Sequence, residues 1–375
     1  MGRHLGGILG DLMVGRIFDW FERWQPPFDA TQPVRPPETL FAFIWHFTKP
    51  YWPLLLLASS LAGAVALIEV WLFSFLGRIV DWLAETDRTA LWDDHGTFLA
   101  IVAVLVLGVL PIMKFVYESA IHQGIMGNFA MRTRWQTHRY VLRQSLGFFQ
   151  DDFAGRISAK VMQTAVGVRD VVLKVAEVFL YVGTYFAGAV VAFALTDWRL
   201  AAPMLVWLGG YLLAIKYFIP RLGKISAEQA DARSIMTGRV VDSYTNISTV
   251  KMFAHADRED AYARDSMEGF LDTVHRQMRL VTKLTVVLNL LNAGLLAGVT
   301  GMALYLWSLD AITIGAIALT VALVMRLQGM SHWIMWETAG LFESIGVIQD
   351  GITTLAQEQT VLDAPKAQPL PIPRG

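Results

Sequence analysis

No group of residues in this chain reads as a nucleophile with its base and orienting acid. The chemistry on offer is that of charge placed among apolar side chains. The eight histidines are scattered, and His46, His122, His138, His255 and His275 show no metal-ligand spacing. Cysteine is absent, which excludes disulfides and thiolate metal sites and fits a reducing compartment. No G-x-x-x-x-G-K-S/T phosphate loop occurs, so the chain cannot hold a nucleotide's phosphates by that chemistry. Three groups remain. Glu69, Glu177, Lys216 and Arg326 stand in or beside long apolar runs, where an ionisable group is costly and faces a cavity or a partner. Glu69 is the one expected to face a central cavity. Trp307, Met325, Arg326, Trp333 and Trp336 combine broad apolar faces and an adaptable thioether with one cation. That wall suits bulky amphiphiles such as cationic drugs or lipids; helix packing and interfacial anchoring are the alternative. The third group is a pair of short segments, residues 148–158 and 242–253, where aromatics, acids and polar residues interrupt long helical patterns.

The elements that must position these residues follow from composition. Hydrophobic residues make up 54% and charged residues 17% of the chain, and mean hydropathy is +0.44. A soluble domain usually carries more charge. The net charge of −1 provides no global field for nucleic acid, and no nucleic-acid partner is expected. Apolar runs at 53–83, 97–118, 171–195, 199–219, 284–307 and 311–330 can each cross a hydrocarbon core ~30 Å thick, which needs ~20 helical residues. The intervals 119–170 and 220–283 are long and rich in Lys and Arg; the others are short. The bias of basic residues places both long intervals and both termini in the cytoplasm. An even number of spans agrees with that.

The long intervals are poor in loop-forming residues. Residues 224–282 contain no proline and repeat Ala, Met, Val and Arg at helical period. Spans two to five therefore continue as helices beyond the bilayer, and 25 further residues reach ~35–40 Å at ~1.5 Å each. Each interval becomes a helical hairpin, turning near Gln150–Gly155 and near Asp242–Ser248. A separate soluble domain in each interval is the alternative. Ahead of the first span, Leu5, Ile8, Leu9, Leu12, Ile17, Trp20, Phe21 and Trp24 recur at helical spacing, which predicts an amphipathic helix on a membrane surface; a lead-in with no regular structure is the alternative. Prolines at 26, 27, 33, 36 and 37 make residues 25–38 a stiff linker. The aromatic stretch Leu40 to Trp52 reads as an interfacial elbow. Gly294 and Gly298 form a small-xxx-small pair, a close-packing face. Asn246-Ile247-Ser248 fits a glycosylation acceptor, but on the cytoplasmic side.

The two tips read Phe148-Phe149-Gln150-Asp151-Asp152-Phe153-Ala154-Gly155-Arg156-Ile157-Ser158 and Asp242-Ser243-Tyr244-Thr245-Asn246-Ile247-Ser248-Thr249-Val250-Lys251-Met252-Phe253. Thr196-Asp197-Trp198-Arg199-Leu200 joins spans three and four, and Ile312-Thr313-Ile314-Gly315-Ala316 opens span six. In this order, and on these sides of six spans, the four motifs resemble the transmembrane domain of ATP-binding-cassette (ABC) exporters over residues 38 to 370. The resemblance implies an all-α membrane fold: six spans with long cytoplasmic extensions. It implies residues 1–38 as an N-terminal helix and linker, 39–355 as the transmembrane domain, and 356–375 as a linker toward a nucleotide-binding domain. It also implies that the tips are coupling helices docking on that domain, through Phe148, Phe149, Asp151, Asp152, Phe153, Asp242, Tyr244, Asn246, Ile247 and Thr249, with Gly155 allowing the turn out of the helix.

The function the resemblance implies is ATP-driven export of hydrophobic or amphiphilic compounds by alternating access. No cofactor is expected in this chain; ATP and Mg would sit on the nucleotide-binding domain, in the same longer polypeptide or a separate chain. Six spans make half a translocation path, so a second half-transporter, as a homodimer or a related chain, is expected within the lipid bilayer. A bacterial inner (plasma) membrane is the expected location. Two rivals remain: a channel or ion-coupled carrier that needs no ATPase, and an inert scaffold or receptor.

Overall fold

The structure is a computed structural model and describes residues 14–30, 32–85, 90–150, 154–253 and 256–361. Among these residues all regular structure is helical. Residues 14–23 form α1. Helix α2 (Leu40–Thr48) passes through one 3-10 turn into α3 (Trp52–Glu85). Then come α4 (Leu91–Val141), α5 (Leu146–Gln150), α6 (Gly155–Thr196), α7 (Ala201–Thr245), α8 (Ile247–Met252), α9 (Ala256–Ser308) and α10 (Ile314–Leu355). Six helices, α3, α4, α6, α7, α9 and α10, are long and apolar enough to cross a membrane. Only 11% of the most apolar window of α4 is buried within the protein. Apolar surface of that extent is stable against lipid and not against water. The extensions expected of this fold are present: α7 has 45 residues and α9 has 53, about twice what a bilayer needs.

By internal contacts the chain divides into two units, one comprising Met1–Ala66, Thr97–Gly183 and Glu343–Gly375, the other Leu67–Gly96 and Thr184–Phe342. In the first, the elbow helix α2 buries Phe43 and Phe47, and Tyr51 follows with its ring 4.9 Å from that of Phe129. Phe41, Trp45 and Trp52 stay exposed, as an interfacial elbow requires. The N-terminal stripe behaves differently from expectation. Leu5, Ile8, Leu9 and Leu12 lie outside the described residues. In α1, Phe21 is buried and Phe18 packs on Phe115 at 5.9 Å, whereas Ile17, Trp20 and Trp24 are exposed. Of the described residues of the stripe, Phe21 is spent on protein, and Ile17, Trp20 and Trp24 are left for a membrane surface.

The linker that follows is strapped to α4. Arg132 donates to Asp29 Oδ2 at 2.6 Å, Trp135 Nε1 to the Asp29 carbonyl at 3.2 Å and Asn128 to the Glu22 carbonyl at 2.6 Å. Two wide π turns interrupt α4 at Leu105–Val109 and Ala120–Met126, and one interrupts α6 at Lys174–Phe179. Such turns disturb the i→i−4 ladder. Here carbonyls in these turns find side-chain donors: Ser59 Oγ reaches Ala176 O at 3.1 Å and Arg169 reaches Met126 O at 3.3 Å. Glu177, conspicuous in the sequence as an acid in a span, accepts a hydrogen bond from the Tyr117 hydroxyl. The C-terminal end of α10 is collared in the same unit. Arg35 Nε donates to Ala356 O at 2.9 Å, and the Tyr140 hydroxyl donates to Gln357 O at 2.6 Å. Burial raises the Tyr140 pKa above the ordinary phenol value, so it remains a donor throughout the physiological range. Residues 362–375, with the Pro-rich stretch, lie outside the described residues.

In the second unit a buried polar chain ties α7, α9 and α10. Trp207 Nε1 donates to Asn292 Oδ1 at 3.2 Å, Asn292 Nδ2 to Ser331 Oγ at 2.8 Å, and the Tyr211 hydroxyl to Ser331 O at 2.7 Å. Polar side chains inside apolar spans are retained when every member finds a partner. Close packing comes from glycines other than those the pattern suggested. A methyl group on Gly298 would only touch Pro203, and one on Gly294 would meet nothing within 4 Å. One on Gly210 would lie 2.7 Å from Leu291, and one on Gly315 would overlap the Gly77 carbonyl oxygen.

The motif opening span six acquires a physical role from that last contact. The chain leaves α9 through Asp310 with φ 54°, a left-handed conformation that Asp tolerates. Thr313 then caps α10, its Oγ1 accepting from Ala316 N at 3.1 Å. Asp81 of α3 completes the end: its carboxylate accepts from Thr313 Oγ1 at 2.8 Å and from Gly315 N at 2.7 Å. An acid at a helix N-terminus satisfies orphan N–H groups and complements the helix dipole. The turn between spans three and four uses the same device, with Asp197 accepting from Arg199 N at 2.9 Å.

Candidate functional site

Two places bring sequence-selected residues together. The first is the α7–α9 hairpin and its tip. The two long helices are cross-tied along their length. Arg276 pairs with Glu228 at 2.7 Å, Arg239 with Asp265 at 2.7 Å, and Ser243 Oγ donates to Glu259 Oε2 at 2.7 Å. Arg239 also lies 4.4 Å from the centre of the Tyr262 ring. Exposed pairs contribute little each, but spaced along two helices they fix one register between them.

At the tip α7 stops at Asn246, whose backbone departs from helical values with φ −98° and ψ 23°. Its side chain bonds back to Asp242 Oδ1 at 3.0 Å, and its carbonyl accepts from Thr249 N at 3.0 Å, which starts α8. Asp242, Asn246 and Thr249 thus form one capped corner and line one hollow of about 350 Å³ with Ser243, Val250, Phe253, Glu259 and Tyr262. Tyr244, 71% exposed, and Ile247, 44% exposed, present apolar surface outward. Met252 and Phe253 do the same. Exposed apolar groups on and beside such a short helix mark a docking surface more readily than a solvated corner. Glu259 and Tyr262 did not stand out in the sequence, because they reach the corner from across the hairpin.

The first tip, in the other unit, is described in part. Helix α5 follows a turn after Val141, and the Phe148 and Phe149 rings meet edge to face at 5.2 Å. Phe149 and Leu146 are exposed. Asp151, Asp152 and Phe153 lie outside the described residues. Gly155 does not turn the chain out of a helix. It lies in the first turn of α6, has no positive φ, and a methyl group there would meet nothing within 4 Å. Glycine is not sterically required there.

The second place is a cavity of about 360 Å³ in the Leu67–Gly96, Thr184–Phe342 unit, lined by Glu69, Leu72, Phe73, Leu76 and Arg326. Arg326 Nη2 donates to Glu69 Oε2 at 3.2 Å. Glu69, Leu72, Phe73 and Leu76 share one face of α3 through their i, i+3, i+4, i+7 spacing. The sequence selected Glu69 and Arg326 separately; the structure makes them a pair. Trp307, Met325, Trp333 and Trp336 do not line this cavity. They are exposed, and on α10 Met325, Gly329, Trp333 and Trp336 make one exposed stripe. Among the described residues no cluster of His, Cys, Asp and Glu could hold a metal ion.

Comparison with known proteins follows the same lines. The family model for the ABC transporter transmembrane region matches residues 52–330. An uncharacterized ABC transporter ATP-binding protein of Haemophilus influenzae is 43% identical over 365 residues, covering 97% of this chain and 59% of that protein. An ATP-dependent lipid A-core flippase of Acinetobacter baylyi is 23% identical over 267 residues, covering 71% of this chain and 44% of the flippase. The chain therefore spans about half the length of these relatives. Among solved structures, a bacterial Atm1-family ABC exporter with ATP bound superposes with TM-score 0.64 at 15% identity, over 87% of this chain and 57% of that one.

Proposed function

The chain belongs to the ABC transporter transmembrane region family, and on that premise we propose that it is the permease part of an ATP-driven exporter for hydrophobic or amphiphilic, drug- or lipid-like compounds. It is an integral membrane protein with the fold of an ABC exporter transmembrane domain. In the proposed arrangement the bilayer is a bacterial inner membrane and both termini are cytoplasmic. The tips at 148–158 and 242–253 dock on nucleotide-binding domains, in the same polypeptide or a separate chain, and a second half-transporter completes the path. ATP and Mg would bind on those domains, since the chain carries no G-x-x-x-x-G-K-S/T phosphate loop.

One observation carries the reading. A six-residue helix with exposed Ile247 and Met252, flanked by exposed Tyr244 and Phe253, closes a hairpin of two helices held in one register by cross-helix pairs. A hairpin tied in that way moves as a rod, so a displacement at its tip is delivered to the membrane end. At ~1.5 Å per residue the 26 residues from Pro220 to Thr245 span ~39 Å. The names of the relatives, a flippase for lipid A-core among them, support a lipid-like cargo.

The rival ion-coupled carrier is separated by one experiment. In proteoliposomes containing the full-length protein, amphiphile transport is expected to need ATP and to be indifferent to an imposed proton or sodium gradient. Uphill transport by this chain alone, driven by such a gradient without ATP, would establish the rival.

A further inference from the structure

We propose that the root of the α7–α9 hairpin, where the two helices leave their spans, binds an acidic phospholipid whose phosphate sits among Arg221, Lys224, Arg279 and Lys283. The inference needs only that the spans cross a bilayer. It depends neither on the export reading nor on the nature of the cargo.

The site is built by the register of the hairpin. Glu228 of α7 and Arg276 of α9 meet at 2.7 Å. From Glu228 toward the span, Lys224, Arg221, Tyr217 and Leu213 follow at steps of three or four residues. From Arg276, Arg279, Lys283, Val286 and Leu290 do the same. Such steps keep to one face of a helix, so the Glu228–Arg276 contact sets both stripes on the same side of the hairpin. The hydrogen bond from Gln277 Nε2 to Ser226 Oγ, 3.3 Å, fixes their levels. Lys224 and Arg279 stand two residues beyond it, Arg221 and Lys283 five and six. At ~1.5 Å per residue the four cations fall within ~10 Å along the hairpin. Both stripes, from the cations to Leu213 and Leu290, are exposed.

Charge gives way to apolar surface in the same direction along both stripes. No Asp or Glu occurs between Asp197 and Glu228, or between Asp272 and Asp310. Among the described residues none of the four cations makes an ion pair. Arg221 instead lies over the Tyr217 ring, 3.7 Å from its centre, and donates to the Tyr217 carbonyl at 2.6 Å, which leaves its charge uncompensated by an acid. Tyr217, Leu213, Val286 and Leu290 carry the stripes on into the spans as exposed apolar surface. Cations first and apolar surface beyond them is the order of a phospholipid's headgroup and acyl chains. Basic clusters beside a span attract acidic headgroups. Like charges at one level also repel one another. An anion among them relieves that cost, and a zwitterionic headgroup, which brings its own cation, relieves it less. A signal for orientation in the membrane asks only for basic residues beside the spans; it does not call for two stripes in register on one side.

The test is photolabelling of the full-length protein in lipid discs, with phosphatidylglycerol and phosphatidylcholine that carry the same diazirine beside the glycerol. At equal mole fraction, phosphatidylglycerol is expected to label residues 213–224 and 279–290 about fivefold or more above phosphatidylcholine, the effect of one surface cation on an anionic headgroup. Residues 101–112 of α4, an apolar stretch without charge, should show no such excess. Unlabelled phosphatidylglycerol should compete, and glycerol phosphate should not. The excess should vanish when Arg221, Lys224, Arg279 and Lys283 are all changed to Gln. It should fall in Arg221→Gln/Lys283→Gln, a milder variant that serves if the fourfold one does not fold. Arg258→Gln/Arg264→Gln removes two cations nearer the tip and should leave the excess intact. An excess no greater than that on α4, an excess that survives the changes at the root, an equal loss in the tip variant, or displacement by glycerol phosphate would overturn the proposal. None of these outcomes involves ATP, so the export reading stands or falls separately.

Discussion

Tyr244→Ala in the full-length protein is expected to reduce ATP-driven transport by about 5- to 150-fold, the span of ordinary coupling free energies of 1–3 kcal/mol, while ATP hydrolysis persists. The reasoning starts from exposure. Tyr244 is 71% exposed on the last turn of α7 and gives little to the packing of this chain. Removal of such a side chain usually changes stability by within about 0.5 kcal/mol. A docking contact is another matter, since aromatic side chains contribute about 150–250 Å² each and dominate interface energetics. Loss of transport with fold and hydrolysis intact would therefore locate the defect in the joint between motor and permease. Phe149→Ala is expected to act in the same direction at the first tip. Its effect should be smaller, because Phe149 already spends part of its ring on Phe148 and is only 38% exposed. Unchanged transport and unchanged coupling in both variants would remove the docking role from these tips.

Gly315→Val is expected to destabilise the protein by at least about 2 kcal/mol, within the range for overpacking. The side chain would have to occupy the position of the Gly77 carbonyl and of the Asp81 carboxylate. One is backbone. The other is committed to the Gly315 N–H and the Thr313 hydroxyl. Neither can move aside as the end of a flexible side chain could. The readout is the unfolding midpoint of the purified protein in micelles. Gly269→Ala serves as the control: an added methyl meets nothing within 4 Å there, and a helical Gly→Ala change is neutral or stabilising by up to about 1 kcal/mol. A midpoint for Gly315→Val equal to that of the control would mean that the crossing of α3 and α10 is looser than described.

What the sequence made legible was whatever repeats locally. Run length marked six spans, helical period marked the extensions, and the break in that period marked the second tip within a few residues. Asn246 and Thr249 were marked only by the resemblance to ABC exporters; the corner they form is a finding of the structure. Contacts between distant segments left no such trace. Glu69 and Arg326 each looked unusual, but they lie 257 residues apart, and no period links them. Asp81 and Gly315 are separated by 234 residues, and within this chain the tightest glycine contacts are at Gly210 and Gly315 rather than at the conspicuous Gly294 and Gly298. The partners of Asn292 come from α7 and α10, so its role as the centre of a buried polar chain could not be read from its own segment. From Ile17 to Phe21 the N-terminal stripe is helical, but membrane surface and protein surface are equivalent in sequence. Phe18 and Phe21 chose protein because Phe115 and Gly124 offer them a place.

The most direct test of the central claim is a photoreactive phenylalanine analogue placed at Tyr244 of the full-length protein in native-like membranes. The account predicts cross-links to a nucleotide-binding domain, with a yield that changes when ATP is added. Labelled protein that still transports with ATP but forms adducts only with lipid or water would contradict it.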